Sequence, residues 1–279
     1  MPEARPPLFD FAASQMAQSR AVRLAGDRFL DRAAAEGLAD RLAAVKRSFT
    51  EGLMLDVPEV AQEQLYKFAR NWTFATLGEL ESVPLKREKF DLVVSVNWLQ
   101  FTNDLPGVLI QINRALNPDG LFMASLLGGS TLMELRDAFA HAETQTRGGI
   151  SPRVSPFADV RDLGGLLQRG GFALPVSDVE RLNVRYRDFA GLARDLRAHG
   201  LTNVLSERSR KPLRRDTLAA LLAHYAQHHS EDGKLLARFE TLYLTGWAPH
   251  DSQQQPLKPG SAKSRLAQAL GTDETPLKG

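Results

Sequence analysis

The sequence predicts an α/β fold in which a mostly parallel sheet is covered by helices on both faces. Three observations carry that prediction. Phe90-Asp91-Leu92-Val93-Val94-Ser95 is apolar at successive rather than alternate positions, as expected for a parallel strand buried on both sides. A helix-period stretch follows, with Leu105, Leu109, Ile112 and Leu116 on one face, and then a second apolar run over 121–127. The Asn117-Pro118-Asp119-Gly120 segment between them reads as the turn that ends the helix, which completes a strand–helix–strand unit.

In chain order, residues 12–49 are rich in Ala, Arg and Leu. Phe29, Leu30, Ala33, Leu38, Leu42 and Val45 recur at helical spacing, so two amphipathic helices are expected. Leu53-Met54-Leu55-Asp56-Val57 is a short apolar run ending in an acid and reads as the first strand. Pro58 suits the first position of a helix running to residue 69. Trp72-Thr73-Phe74-Ala75-Thr76 is aromatic, β-branched and alternating, hence a strand. Asn103 or Asp104 supplies an N-cap for the helix that ends at Leu116.

After the strand at 121–127, Gly128-Gly129-Ser130 opens a helix over 131–143, and a Gly- and Pro-bearing loop leads to another over 157–169. Residues 179–186 alternate and read as a strand. Two helices, at 188–199 and 216–229, precede a last strand at 239–247. The predicted organisation is an N-terminal helical segment (1–50) and a main α/β domain (51–260). That domain carries a helical insertion at 187–238 and an antiparallel last pair of strands, and an irregular tail (261–279) follows it.

Composition narrows the function classes. The 279 residues suffice for one large domain with a sizeable core. Lys+Arg 35 against Asp+Glu 33 is too balanced for nucleic-acid binding by bulk charge. Cys 0 removes disulfides, thiolate metal sites and a cysteine nucleophile. No apolar run approaches the ~18 residues of a membrane span. Glu3 and Asp10 near the start are unlike a secretory or organelle-import signal, so a bacterial cytoplasm is the expected setting.

Phe90–Ser95, Asn103-Asp104-Leu105-Pro106 and Leu116-Asn117-Pro118-Asp119-Gly120 together resemble the type-11 class I methyltransferases, which have a Rossmann-like fold. Other segments resemble one branch more closely. These are Gly128-Gly129-Ser130-Thr131-Leu132 with Glu134-Leu135-Arg136, and Ser151-Pro152-Arg153-Val154-Ser155-Pro156-Phe157. With them go Asp195-Leu196-Arg197, Thr202-Asn203, and Thr245-Gly246-Trp247-Ala248-Pro249-His250. They are similar to the complex I assembly factor 5 branch, and the resemblance runs from about residue 8 to residue 270. It implies S-adenosylmethionine (SAM) as cofactor and a protein client, a respiratory complex I subunit. The mitochondrial relatives are implicated in hydroxylating an arginine of that subunit.

The same resemblance implies that Asp56, Glu79, Asn97 and Gln100 face the cofactor and that Arg136, Trp247 and His250 face the substrate. Against it stands the first turn. Where the family has an acidic, glycine-rich turn, Asp56-Val57-Pro58-Glu59-Val60 has no glycine, and Pro58 removes a donor. From Asp56 to Glu79, which sits where the family's adenine-side acid lies, is only 79 − 56 = 23 residues, room for one crossover of roughly ten to twelve. The sheet is therefore expected to lack one strand, the usual second, together with its ribose-binding acid. Gln100 and Phe101 also replace the family's usual His and Trp.

His224, His228 and His229 offer metal-ligand spacing on a helix, but a polar helix end is the favoured reading, and no metal is expected. His229-Ser230-Glu231 imitates the start of an iron facial triad, a chance match outside a β-barrel-like scaffold. Arg208, Arg210, Lys211, Arg214 and Arg215 form a basic loop, read as a solvated face. No catalytic residue is assigned, and whether the chain is an enzyme stays open. Three functional readings follow: an eroded methyltransferase that binds or modifies a protein client, an active SAM-dependent methyltransferase acting on a protein or small molecule, and a protein arginine hydroxylase.

Overall fold

The computed structural model describes residues 6–83 and 89–254. Its sheet runs in the order β2-β1-β3-β4-β7-β5, with β1 Phe49–Leu55, β2 Ala69–Ala75, β3 Phe90–Val96, β4 Leu116–Leu127, β5 Ala173–Tyr186 and β7 Lys234–Trp247. The two-residue β6 (Ser230–Glu231) pairs only with β7. β1, β2, β3 and β4 are mutually parallel, whereas β7 is antiparallel to both β4 and β5. The parallel-dominated sheet and its antiparallel last pair are as the sequence predicts.

Both faces of the central strands are buried, which explains the unbroken apolar runs. Leu53, Leu55, Val93, Phe122 and Ala124 point into one core layer with Leu109 and Ile112 of α4 (Leu105–Ala115) and with Leu163 and Leu167 of α6 (Val160–Arg169). Their neighbours Met54, Leu92, Val94, Leu121 and Met123 point into the opposite layer. There they meet Ala34, Leu38 and Leu42 of α2 (Phe29–Ala43). α1 (Phe11–Leu24) completes the N-terminal pair, and Ala13 and Ala17 pack it on Phe101, Val204 and Leu205. A third cluster joins α5 (Met133–Arg147), α7 (Phe189–Ala198) and α8 (Arg215–His228) to Tyr186, Ala237 and Phe239.

The chain divides into two compact units, Met1–Pro249 and His250–Gly279. The N-terminal helices thus share a unit with the sheet, α7 and α8 lie between β5 and β6, and the tail at 261–279 lies outside the described residues. Among the described residues no helix is long and apolar enough to cross a membrane.

Several expectations need correction. The helix expected from Pro58 to residue 69 is only the four-residue α3 (Glu59–Gln62) and a 3-10 turn, Tyr66–Phe68, because the connection between Leu55 and Ala69 must cross back quickly. Asn117-Pro118-Asp119-Gly120 does not leave the sheet. It stays in β4 as an irregularity, with the register against β3 shifting between Phe90 and Leu92 and Asp119 at φ 63. The last strand starts five residues earlier than expected, because Asp232 and Gly233, both at positive φ, make a tight hairpin loop with β6.

The single crossover expected after the first strand is observed, but the strand it leads to is not displaced. β2 pairs β1 directly from Phe49↔Ala69 to Leu55↔Ala75. Among the described residues this wing therefore holds one strand, and the position left without a strand is the outer edge beyond β2. A gap beside β1 would have left its ladder donors and acceptors unpaired.

Candidate functional site

At the carboxyl ends of the parallel strands, where such sheets bind ligands, Asp56 and Asn97 hydrogen-bond to the chain's own groups. Asp56 follows β1 at φ 52, a conformation tolerated by Asp though easier for Gly. Its Oδ2 accepts the Leu77 N–H at 3.0 Å, and its own N–H bonds the Ala75 carbonyl at 2.9 Å. Burial pushes the Asp56 carboxyl up to about 7, against the lowering effect of the Leu77 hydrogen bond.

Asn97 follows β3, also at positive φ, and holds the start of α2. Its Nδ2 donates to the Leu30 carbonyl (3.3 Å) and to Asp31 Oδ1 (3.1 Å), while its Oδ1 accepts from Ser125 Oγ (3.2 Å). Asp31 is pinned by Arg28 at 2.7 Å, and the Leu30 N–H donates to the buried His199 Nε2 at 3.1 Å. Gln100 donates to the Asn97 carbonyl at 2.7 Å, leaving its buried Oε1 without a partner.

Glu79 stands exposed in the loop after β2. Its neighbour Glu81 makes the contacts instead: its two oxygens accept the N–H groups of Asn103 and Asp104, each at 2.6 Å, at the amino end of α4. A carboxylate at that position satisfies orphan donors and the helix dipole. Nothing in the sequence pattern separated Glu81 from Glu79, since both are loop acids of the same spacing class.

The space among Phe11, Ser14, Leu77, Gly78, Glu81 and Trp98 amounts to about 20 Å³. That is room for about one water molecule, which could serve the unpartnered Ser14 hydroxyl. Organic ligands occupy pockets of roughly 300–1,000 Å³. At the described strand ends, then, Asp56 and Asn97 are engaged by the chain's own groups, no glycine relieves the first turn, and the space beside Leu77 and Glu81 is of water size.

Larger cavities lie beyond β4, on the side of α5 and the insertion. One of about 640 Å³ is lined by Pro7, Gly129, Arg136, Pro152, Pro156 and Glu207. A second, of about 450 Å³, is lined by Leu135, Phe139, Phe189, Leu196, Thr202 and Asn203, and the two share Val154 and Phe157. The segments that carry the branch resemblance, 134–136, 151–157, 195–197 and 202–203, thus converge on one pair of adjoining cavities.

The loop between these cavities is firmly held. The Glu143 carboxylate is fully buried and accepts from Ser151 N (2.6 Å) and from Arg153 Nε and Nη2 (2.8 and 2.6 Å), with Arg147 at 3.0 Å. Burial alone would raise the Glu143 carboxyl. The bonds from Ser151 and Arg153 outweigh that and hold it below the usual range. Asn203 Nδ2 donates to the Pro152 carbonyl at 2.7 Å.

Arg136 is different. Its guanidinium donates to the Ser155 carbonyl at 3.1 Å, no carboxylate among the described residues pairs with it, and burial lowers its pKa. A partly desolvated guanidinium without a counter-charge, lining an open cavity, is prepared for an anionic group.

The other expected residues lie elsewhere. Trp247 does not reach these cavities. It pairs in register with Leu121, midway along β4 and opposite Leu92 near the amino end of β3, and its ring sits 6.0 Å from the Arg47 guanidinium. An antiparallel last strand delivers its carboxyl end to the opposite edge from Asp56 and Asn97, which the sequence alone did not reveal. His250 belongs to the second unit, where its Nδ1 lies 2.7 Å from Ser252 Oγ. Glu231 pairs with Arg185 at 2.8 Å and joins no triad with His229. The basic loop is partly neutralised, Arg208 by Asp10 (2.9 Å) and Arg214 by Asp216 (2.5 Å).

Comparison with known proteins agrees with this architecture. A methyltransferase-domain family model matches residues 32–124. The chain is 41% identical over 192 residues to the Danio rerio protein named arginine-hydroxylase NDUFAF5, mitochondrial, covering 68% of this chain and 60% of that one. The human protein of that name is 42% identical over 191 residues, covering 68% and 55%. The chain therefore spans less than two thirds of the length of these relatives.

The malonyl-acyl-carrier-protein O-methyltransferase of Gallionella capsiferriformans is 32% identical over 237 residues, covering 82% of this chain and 79% of that one. Among solved structures, a Bacillus halodurans protein assigned to the methyltransferases superimposes with a TM-score of 0.50 at 13% identity, covering 77% of this chain and 98% of that one, a likeness of fold alone. Strand order, the matched domain and relatives similar over about four fifths of both chains lead to one conclusion: the chain belongs to the class I SAM-dependent methyltransferase family.

Proposed function

We propose that this chain is a methyltransferase-like protein of the complex I assembly factor branch whose SAM site is eroded. It binds or modifies a protein client through the cavities beside Arg136, in the cytoplasm of a bacterium. The observation that carries this reading is the self-satisfaction of the strand ends: Asp56 bonds Leu77, Asn97 bonds Leu30 and Asp31, and Glu81 caps α4. The cavity lined by Arg136 and the exposed Glu207 offers one group of each charge to a client. The family resemblance points to a subunit of respiratory complex I as that client.

Thermal shift with SAM and S-adenosylhomocysteine tests the eroded site. A ligand at a hundred times its dissociation constant adds about 2.7 kcal/mol of stability, so binding would raise the melting temperature visibly. An unchanged melting temperature at millimolar SAM is the expected result, and a rise with either compound sinks the proposal. Such a rise would favour the second reading, an active methyltransferase on a protein or small molecule, which the similarity to the malonyl-acyl-carrier-protein enzyme supports.

A third reading, arginine hydroxylation, is supported by the names of the Danio rerio and human relatives and by Glu207, whose carboxylate suits a guanidinium. It predicts a client arginine one oxygen heavier only in cells that carry the gene. Identical arginine masses with and without the gene would remove it.

A further inference from the structure

Where α5 and α8 lie together, Asp137 meets two histidines 87 and 92 residues further along the chain. Asp137 of α5, His224 of α8 and His229, which caps α8, each offer a ligand atom, and these atoms lie within 4.8 Å of one another. Asp137 Oδ2 stands 2.8 Å from His224 Nε2 and 2.7 Å from His229 Nε2. Two imidazole nitrogens that meet one carboxylate oxygen form a donor set for a borderline divalent cation, whereas magnesium and calcium prefer all-oxygen sites. We propose that Asp137, His224 and His229 bind a zinc-class transition-metal ion that ties α8 to α5, with water completing its coordination.

The rings are held before any ion arrives. The His229 N–H bonds the Tyr225 carbonyl at 2.9 Å, and the His229 carbonyl accepts from the Leu236 N–H at 2.9 Å. Its ring lies edge-on to Tyr225, whose hydroxyl donates to the Leu236 carbonyl at 2.7 Å. His224 stacks between His141 (4.0 Å between centroids, 21° between planes) and His228 (4.4 Å). The two ligand rings are mostly buried, with side-chain exposures of 12% and 22%, while Asp137 at 55% leaves the site open to solution. The ligand atoms, now in hydrogen-bond contact, must part by roughly half an ångström to admit an ion with bonds of about 2.0–2.1 Å, and rings positioned by their surroundings limit the rearrangement to that.

Position on the helix decides the role. Leu135 and Phe139 of α5 line the 450 Å³ cavity. Asp137 lies two residues from each, roughly 200° around the helix from Leu135, so it points away from the cavity. An ion there would be structural. It would fasten the outer side of the wall whose inner side faces the cavity, and it would touch no substrate.

The test uses the full chain without a histidine tag, stripped with chelator, at about pH 7.5, where imidazoles are free to bind. Isothermal titration should give one zinc per chain and no response to magnesium, and zinc should raise the melting temperature. Asp137→Asn, His224→Gln and His229→Gln should each weaken binding by at least about tenfold. His250→Gln, a histidine outside the cluster, should not. Circular dichroism checks that each variant folds, and Asp137→Asn, an isosteric change at an exposed side chain, keeps the test decisive if a histidine variant does not. Absence of zinc binding at about 0.1 mM, or equal affinity in the parent and Asp137→Asn, overturns the proposal.

Discussion

Asp56 provides the sharpest test of how the first strand ends. Its carboxyl is shifted from 3.8 to about 7 by burial. The folded chain therefore holds this proton at pH values where the unfolded chain has released it. Stability from this group is fully present below about pH 4 and is lost as pH rises toward 7. The full shift corresponds to about 4 kcal/mol, and the part between pH 5 and pH 7 to about 2.7 kcal/mol, at 1.36 kcal/mol per unit. Solvent screening at a carboxyl that keeps some water contact reduces this, and about 2 kcal/mol is expected between pH 5 and pH 8. Asp56→Asn keeps an acceptor for the Leu77 N–H but cannot ionise. Any cost of its extra donors is constant with pH, so the slope is the readout. Urea unfolding of parent and variant at pH 5, 6, 7 and 8 should show the variant gaining relative stability up to about pH 7 and then levelling off. A difference that stays constant from pH 5 to pH 8 would refute the assignment of a buried, largely protonated carboxyl.

Other perturbations reach the cavities and the sheet. Glu143→Gln leaves Arg153 and Arg147 facing a neutral amide in a fully buried site and should destabilise by about 3 kcal/mol, read as a lower urea midpoint. Arg136→Met should leave stability within about 1 kcal/mol of the parent, or raise it, while weakening client capture, because a half-buried guanidinium with no acid partner serves binding rather than folding. A large loss of stability would instead make Arg136 structural. Gly52→Ala would place a methyl 2.6 Å from the Trp72 ring and 2.9 Å from Ala69 Cβ, so the β1–β2 pair should be destabilised by about 1–3 kcal/mol, seen as a lower melting temperature.

Much of this architecture is written locally in the chain. Unbroken apolar runs at 90–95 and 121–127 reported strands covered on both sides, and the helical periods of α2 and α4 reported which faces cover them. The 23 residues from Asp56 to Glu79 fixed the crossover count, because chain length limits what can be traversed. The glycine-free turn after the first strand was equally visible, since φ preference is a property of the residue itself.

What only the tertiary structure decided is which groups meet. Periodicity places a side chain on a face but names no partner across 94 residues, as between Phe9 and Asn103, or 169, as between Leu30 and His199. Trp247 was misplaced because strand direction, a property of the whole sheet, determines which edge a terminal residue reaches. Asp137 was invisible beside His224 and His229 for the same reason. The sequence lists donors along one dimension, and only the packing of α5 on α8 brings them within reach of a single ion.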